Sequence, residues 1–178
     1  MGHTRHTFVG KWEPISLFSD SYPSLNLLNL RTPSHLAAAL ADAKAHNYAL
    51  GVKLVRGAYH PHELAAHGAQ SHSSSISSDT QPPVWTSKPE TDACYNACAR
   101  ILVSTIKADI DSRKRRCTNT LPSVGVLFGT HNWESCKLIL DELVKSGLAS
   151  KGPKGEDLVV LGDEVTERLT IGQLYGQF

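Results

Sequence analysis

Long apolar runs are missing from this 178-residue sequence. Nowhere do roughly 18 apolar residues stand together, so no stretch reads as a membrane-spanning helix. An excess of one charge is missing too: 18 Lys and Arg stand against 17 Asp and Glu, a net +1 that gives no basic field for a nucleic acid. Glycine is present, but no Gly-x-Gly-x-x-Gly or Walker loop occurs, which disfavours the Rossmann and P-loop modes of nucleotide binding. Cysteine is sparse. Cys94, Cys98, Cys117 and Cys136 have neither disulfide-framework nor zinc-ribbon spacing and read as packed thiols in a reducing compartment. The first 20 residues lack the apolar core of a secretory signal, and Glu13 and Asp20 interrupt them as a transit peptide. The one basic cluster, Arg113 to Arg116, reads as a solvated loop.

What is there centres on Leu50-Gly51-Val52-Lys53-Leu54-Val55-Arg56-Gly57-Ala58-Tyr59. Val52, Leu54 and Val55 favour a short buried strand over 51–56, and Gly57 ends it with backbone freedom. Lys53 and Arg56 are unusual company for a core strand. They are either solvated on an edge, paired, or aimed at something anionic.

Read in order, residues 1–31 show no clean periodicity. Thr32 and Pro33 start a helix carrying Leu36, Ala39, Leu40 and Ala43, stopped near His46 and Asn47. Pro61 to Ala66 gives at most a helical turn, and 69–83 is a Ser-rich surface insertion. Thr91 and Asp92 are read as the cap of a helix with Cys94, Cys98, Ile101, Leu102, Ile106 and Ile110 on one stripe. A polar loop over 111–122 precedes a second strand, Val124 to Gly129. Asn132 then caps a helix bearing Cys136, Ile139, Leu140 and Leu143, closed by Gly147. Lys151 to Glu156 is a loop, Leu158 to Leu161 is extended, and the third strand spans Leu169 to Leu174.

Short apolar strands alternating with helices imply an α/β fold on a parallel sheet. Arg56 to Tyr59, Thr130 to Asn132 and Gln173 to Tyr175 each follow a strand's carboxyl end, the rim where barrels and doubly wound sheets hold ligands. A cationic, aromatic, hydrogen-bonding rim suits a ligand with phosphate and a planar ring. His60, His62 and His131 raise a competing reading, a metal-dependent hydrolase, but no carboxylate bridge accompanies them and solvated loop histidines account for the first two.

The ordered motifs Gly51-Val-Lys-Leu-Val-Arg-Gly-Ala-Tyr59, Trp85-Thr-Ser-Lys88 with Thr91-Asp92, Thr130-His-Asn132 and Gly172-Gln-Leu-Tyr-Gly176 resemble the strand signatures of the proline dehydrogenase family. The resemblance covers 32–176 and leaves 1–31 as a non-matching irregular segment. It implies a partial (β/α)8 TIM-like barrel containing the later βα units only, over 32–178, truncated at both ends. It also implies oxidation of L-proline to 1-pyrroline-5-carboxylate with non-covalent FAD, a quinone acceptor, and a mitochondrial location with peripheral inner-membrane association. No metal is implied.

By position, Lys53 resembles the basic residue near the flavin ring, and with Tyr59 it is the catalytic candidate. Val55, Gly57, Ala58 and Tyr59 resemble contacts along the cofactor. Thr86 and Lys88 resemble contacts to its adenylate or pyrophosphate half, and Thr130, His131, Asn132 and Gln173 further cofactor contacts. Ala58 and Leu174 resemble the apolar wall against the proline ring. The family's substrate-carboxylate arginines have no counterpart here, so the alternative expectation is a non-catalytic fragment that retains part of the FAD-binding rim.

Overall fold

The computed structural model describes residues 32–56, 65, 84–85, 87–116, 122–153 and 158–173. Its elements run α1 (Thr32–His46), β1 (Leu50–Val55), α2 (Lys88–Arg116), β2 (Val124–Gly129), α3 (Trp133–Lys145), β3 (Ala149–Lys151), β4 (Val159–Leu161), α4 (Asp163–Thr166) and β5 (Leu169–Gly172). Strands β1, β2 and β5 form one parallel sheet with β2 in the middle, as the α/β reading expects. The register places Lys53 beside Leu127 and Leu127 beside Thr170.

Side-chain alternation gives this sheet two unlike faces. Val52 and Leu54 of β1, with Val124, Val126 and Phe128 of β2, are buried in one core with Leu36 of α1 and Ile139 and Leu143 of α3. Helix α2 supplies Tyr95, Cys98, Ala99, Leu102, Val103, Ile106 and Ile110 to the same core, a stripe at helical spacing. The opposite face carries Gly51, Lys53, Val55, Gly125, Leu127, Gly129, Thr170 and Gly172, all exposed or half-buried. Among the described residues no helix packs over it.

Helix ends follow local chemistry. Asn47 leaves α1 in the left-handed region at φ 55, which asparagine tolerates better than most residues. Asn132 caps α3, its side chain accepting from the Glu134 and Ser135 amides, and Gly147 at φ 74 closes the far end.

Five expectations need correction. Helix α2 begins at Lys88 and Ser87 precedes it, the Ser87 hydroxyl taking the Glu90 amide at 3.4 Å; Thr91 and Asp92 lie inside the first turns and cap nothing. Ile101 is exposed, off the buried stripe. The polar run 111–116 continues α2, and Arg113 to Arg116 form its last turn, where positive charge suits the helix dipole. Lys151, read as loop, ends the strand β3; the stretch 158–161 is extended as expected, its β4 pairing with β3 as an antiparallel hairpin, and a single turn of helix, α4, follows. The third strand stops at Gly172, short of Leu174. Apart from Ala65, the stretch 61–66 and the insertion 69–83 lie outside the described residues.

One carboxylate fixes the amino ends of two strands. Asp109, on α2, accepts from the Ser123 amide at 3.2 Å and hydroxyl at 2.6 Å, just before β2. The same carboxylate takes Arg168 Nη1 at 2.6 Å, just before β5. The Arg168 side chain is 1% exposed; its Nε donates to the Glu164 carbonyl, and its own carbonyl takes the Val126 amide. Burial alone would raise the Asp109 pKa, but hydrogen bonds from Ser123 and the Arg168 guanidinium outweigh it and hold the carboxyl below its ordinary value. A carboxyl depressed in the fold contributes stability above its unfolded pKa, near 4, and loses it as pH falls through the lower folded value. Urea unfolding is therefore expected to show a stability loss in that acid window which Asp109→Ala largely removes. At neutral pH the same substitution costs about 3 kcal/mol, because it leaves a buried guanidinium uncompensated.

Candidate functional site

Because the three strands are parallel, their carboxyl ends share one edge. The ladder runs right to it: the Arg56 amide donates to the Gly129 carbonyl at 3.1 Å, and the Thr130 amide to the Gly172 carbonyl at 3.2 Å. Arg56, Thr130 and Gln173 thus stand side by side at the sheet's exit.

The β2 exit is a built turn. Thr130 is buried and its hydroxyl oxygen accepts the Asn132 amide at 3.1 Å, while Asn132 Oδ1 accepts from Glu134 at 2.8 Å and Ser135 at 3.3 Å. Both side-chain oxygens are therefore engaged locally, and the exposed residue between them is His131. Gln173 is exposed beside it after β5.

Beneath this edge lies the sheet face that no described helix covers. A Cβ added at Gly129 would lie 3.4 Å from Val55 Cγ2, and one at Gly172 would lie 3.4 Å from Leu127 Cδ1, so these glycines border Val55 and Leu127 on the same face. Lys53 is exposed on that face and has no ion pair among the described residues. An ammonium above a floor of glycines and aliphatic groups can lie close to a flat ring and stabilise negative charge on it.

Arg56 has a different fate. Three residues beyond Lys53, it falls on the helix side, with its side chain only 10% exposed. Its Nη1 donates to Ser135 Oγ on α3 at 2.9 Å, its Nη2 pairs with the Asp92 carboxylate on α2, and the guanidinium lies 5.9 Å from the centre of the Tyr95 ring. Ser135 in turn donates to Asn96 Oδ1 at 2.9 Å. The second oxygen of Asp92 accepts from Lys88 Nζ at 2.8 Å. Burial raises the Tyr95 phenol well above its ordinary pKa, and its hydroxyl has no hydrogen-bond partner among the described residues.

Of the residues singled out from sequence, Lys53, Val55, Thr130, His131, Asn132 and Gln173 gather on or beside one sheet edge, and Lys88 joins them through Asp92 and Arg56. Gly57, Ala58, Tyr59, Thr86 and Leu174 lie outside the described residues, as do His60 and His62. Among the described residues no cluster of three metal-ligating side chains occurs. Sequence reading missed the Asp92, Ser135 and Asn96 network. Its one signal was a basic residue at a strand exit, which on burial must find an acid from a neighbouring element.

Helices on one face of a parallel sheet, with a polar carboxyl-end edge, define a βα-barrel type of segment. The proline dehydrogenase family model matches residues 25–173, and the chain belongs to that family. Among solved structures it is similar to proline utilization A (PutA) from Bdellovibrio bacteriovorus, inactivated by N-propargylglycine, with 20% sequence identity and a TM-score of 0.56. That likeness covers 84% of this chain and only 12% of the PutA chain. A comparison with curated proteins finds no match.

Near the start of α2, Cys94 is half-buried, with Cys98 one turn further on and fully buried. A hydrogen bond from Cys98 lowers the Cys94 thiol to about 6, against burial and with help from Trp85, while Cys98 is pushed up. Cys136 is raised by burial. Iodoacetamide at pH 7 is accordingly expected to alkylate Cys94 before Cys98 or Cys136, with its rate rising through pH 6. Mass mapping of the labelled peptides checks the order, and preferential labelling of Cys98 would contradict it.

Proposed function

We propose that this chain forms the FAD-binding edge of a proline dehydrogenase, which oxidises L-proline to 1-pyrroline-5-carboxylate. The observation that carries the reading is the convergence of Lys53, Val55, Thr130, His131 and Gln173 on one sheet edge in a chain of this family. The donor set fits the cofactor. An exposed ammonium stands over a glycine-bordered floor that leaves room for a ring, and further polar groups stand at the strand ends. When bound, FAD supplies the two-electron acceptor that no side chain can provide.

The chain's own residues bind, orient and polarise. Lys53 would set a positive charge beside the ring and so stabilise negative charge on it. Val55 and the adjoining glycines would give the ring an apolar floor that excludes water. His131 and Gln173 offer hydrogen bonds along the rim, and Lys88 offers a cation for the phosphates. For Gly57, Ala58, Tyr59, Thr86 and Leu174 the proposal rests on family resemblance alone, which gives the first four to the cofactor and Ala58 and Leu174 to the apolar wall for the substrate. The quinone acceptor, the mitochondrial location and peripheral membrane association belong to the same proposal and rest on family resemblance.

The test is a visible spectrum of the purified chain after incubation with FAD and desalting. Retained flavin bands that bleach with L-proline are the expected result for a working site. Bands that persist without bleaching would reduce the proposal to cofactor binding, and no retained flavin would overturn it. Lys53→Met is expected to lower the rate of flavin reduction by about 100-fold, since a removed electrostatic stabiliser at a reacting ring has roughly that effect.

A further inference from the structure

We propose that Asp92 is a positioning residue for the cofactor. It couples Arg56 at the exit of β1 to Lys88 at the start of α2, and so fixes the cation that meets the FAD diphosphate. The inference rests on the FAD reading above.

Asp92 divides its two oxygens between two cations. Oδ1 holds the Arg56 guanidinium and Oδ2 holds Lys88 Nζ at 2.8 Å. These two bonds have different consequences. Arg56 is buried and tied to Ser135 as well, so its charge is neutralised in place and cannot swing to a ligand without breaking both contacts. Lys88 is 75% exposed, and an ammonium has three donors, of which Asp92 takes one. A free lysine loses much side-chain freedom when it grips a phosphate, whereas a tethered one has already lost part of it. The tether is itself anchored, because Arg56 joins Asp92 to β1 and, through Ser135, to α3. The consequence is a cation held at a set position relative to the sheet edge that carries Lys53.

Simple charge counting makes the opposite prediction. Removing a carboxylate from an anion's neighbourhood, and leaving Arg56 uncompensated, should strengthen binding of FAD. The sign of one substitution therefore separates the two ideas. Asp92→Asn, with helical circular dichroism unchanged, is expected to weaken FAD binding about tenfold, the size of one charge-assisted contact. Binding of riboflavin, which has no phosphate, should change much less, and Lys88→Ala should lower the preference for FAD over riboflavin in the same way. Equilibrium flavin-fluorescence titration reads all three. FAD binding that is unchanged or tighter in Asp92→Asn would overturn the proposal. So would an equal loss for FAD and riboflavin, which would mark Asp92 as structural only. Should Asp92→Asn fail to fold, an unaltered FAD preference in Lys88→Ala overturns it instead. If the unsubstituted chain takes up no flavin, the FAD reading itself falls, and that is seen before any substitution is made.

Discussion

Two carboxylates on one helix hold the sheet at both ends. Asp92 lies in the opening turns of α2 and Asp109 near its far end, a separation of about 25 Å at the usual helical rise. Asp92 grips Arg56 at the exit of β1, while Asp109 grips Ser123 and Arg168 at the entries of β2 and β5. Helix α2 therefore runs antiparallel to the strands it covers and is tied to them at each extremity. Its apolar stripe supplies the burial between those points, but a stripe of Leu and Ile could slide by a turn at modest cost. The charged contacts cannot, since a one-turn slip would leave Arg168 buried and unpaired.

The two knots face different tasks. In barrels of this type the amino-end face of the sheet serves stability and the carboxyl-end face carries ligands. Asp109, Arg168 and Ser123 belong to the first face and bond mainly to one another, with Arg168 Nη2 buried and without a partner among the described residues. At the second face Arg56 looks like a ligand residue from its place in the chain, yet it is consumed by Asp92 and Ser135. Lys53 and Arg56 are three apart on an extended segment, and an odd spacing puts them on opposite faces. One becomes a buried strut and the other an exposed cation on the uncovered face. The strut holds the strand exit, so the position of the free cation depends on it.

That division was only half legible in the sequence. Strands with apolar alternation, such as Val124 to Gly129, and helices with strong local caps, such as the one behind Asn132, stand where the residues put them, because burial and capping are decided within a few positions. The parallel sheet and its polar carboxyl-end edge followed from the alternation of these units. Three features were less accessible for a common reason. The last turns of α2 read as loop because they are polar, and only the apolar stripe before them makes them helical. In the hairpin, the apolar run of β4 reads as extended, but its three-residue partner β3 is announced by neither composition nor length. Asp92 read as a cap because Thr-Asp before an apolar run is a capping pattern; its partner, Arg56, is distant in sequence and appears only once the helix docks.

The location of charge also constrains what the edge can recognise. With Arg56 neutralised, the lysines left near the strand exits among the described residues are Lys53 on the sheet face and Lys88 at the head of α2, on either side of the Arg56 strut. Glu134 adds a negative charge in the first turn of α3, beside a helix terminus whose amides Asn132 already takes in part. Among the described residues a compact anion would meet these two lysines apart from one another, not in one basic pocket. A long ligand would be served better if an electron-rich ring met Lys53 and a phosphate tail met Lys88, with the intervening rim supplying hydrogen bonds. The order of these features along the edge suits an extended dinucleotide better than a small free anion, and that order follows from strand alternation and one shared carboxylate.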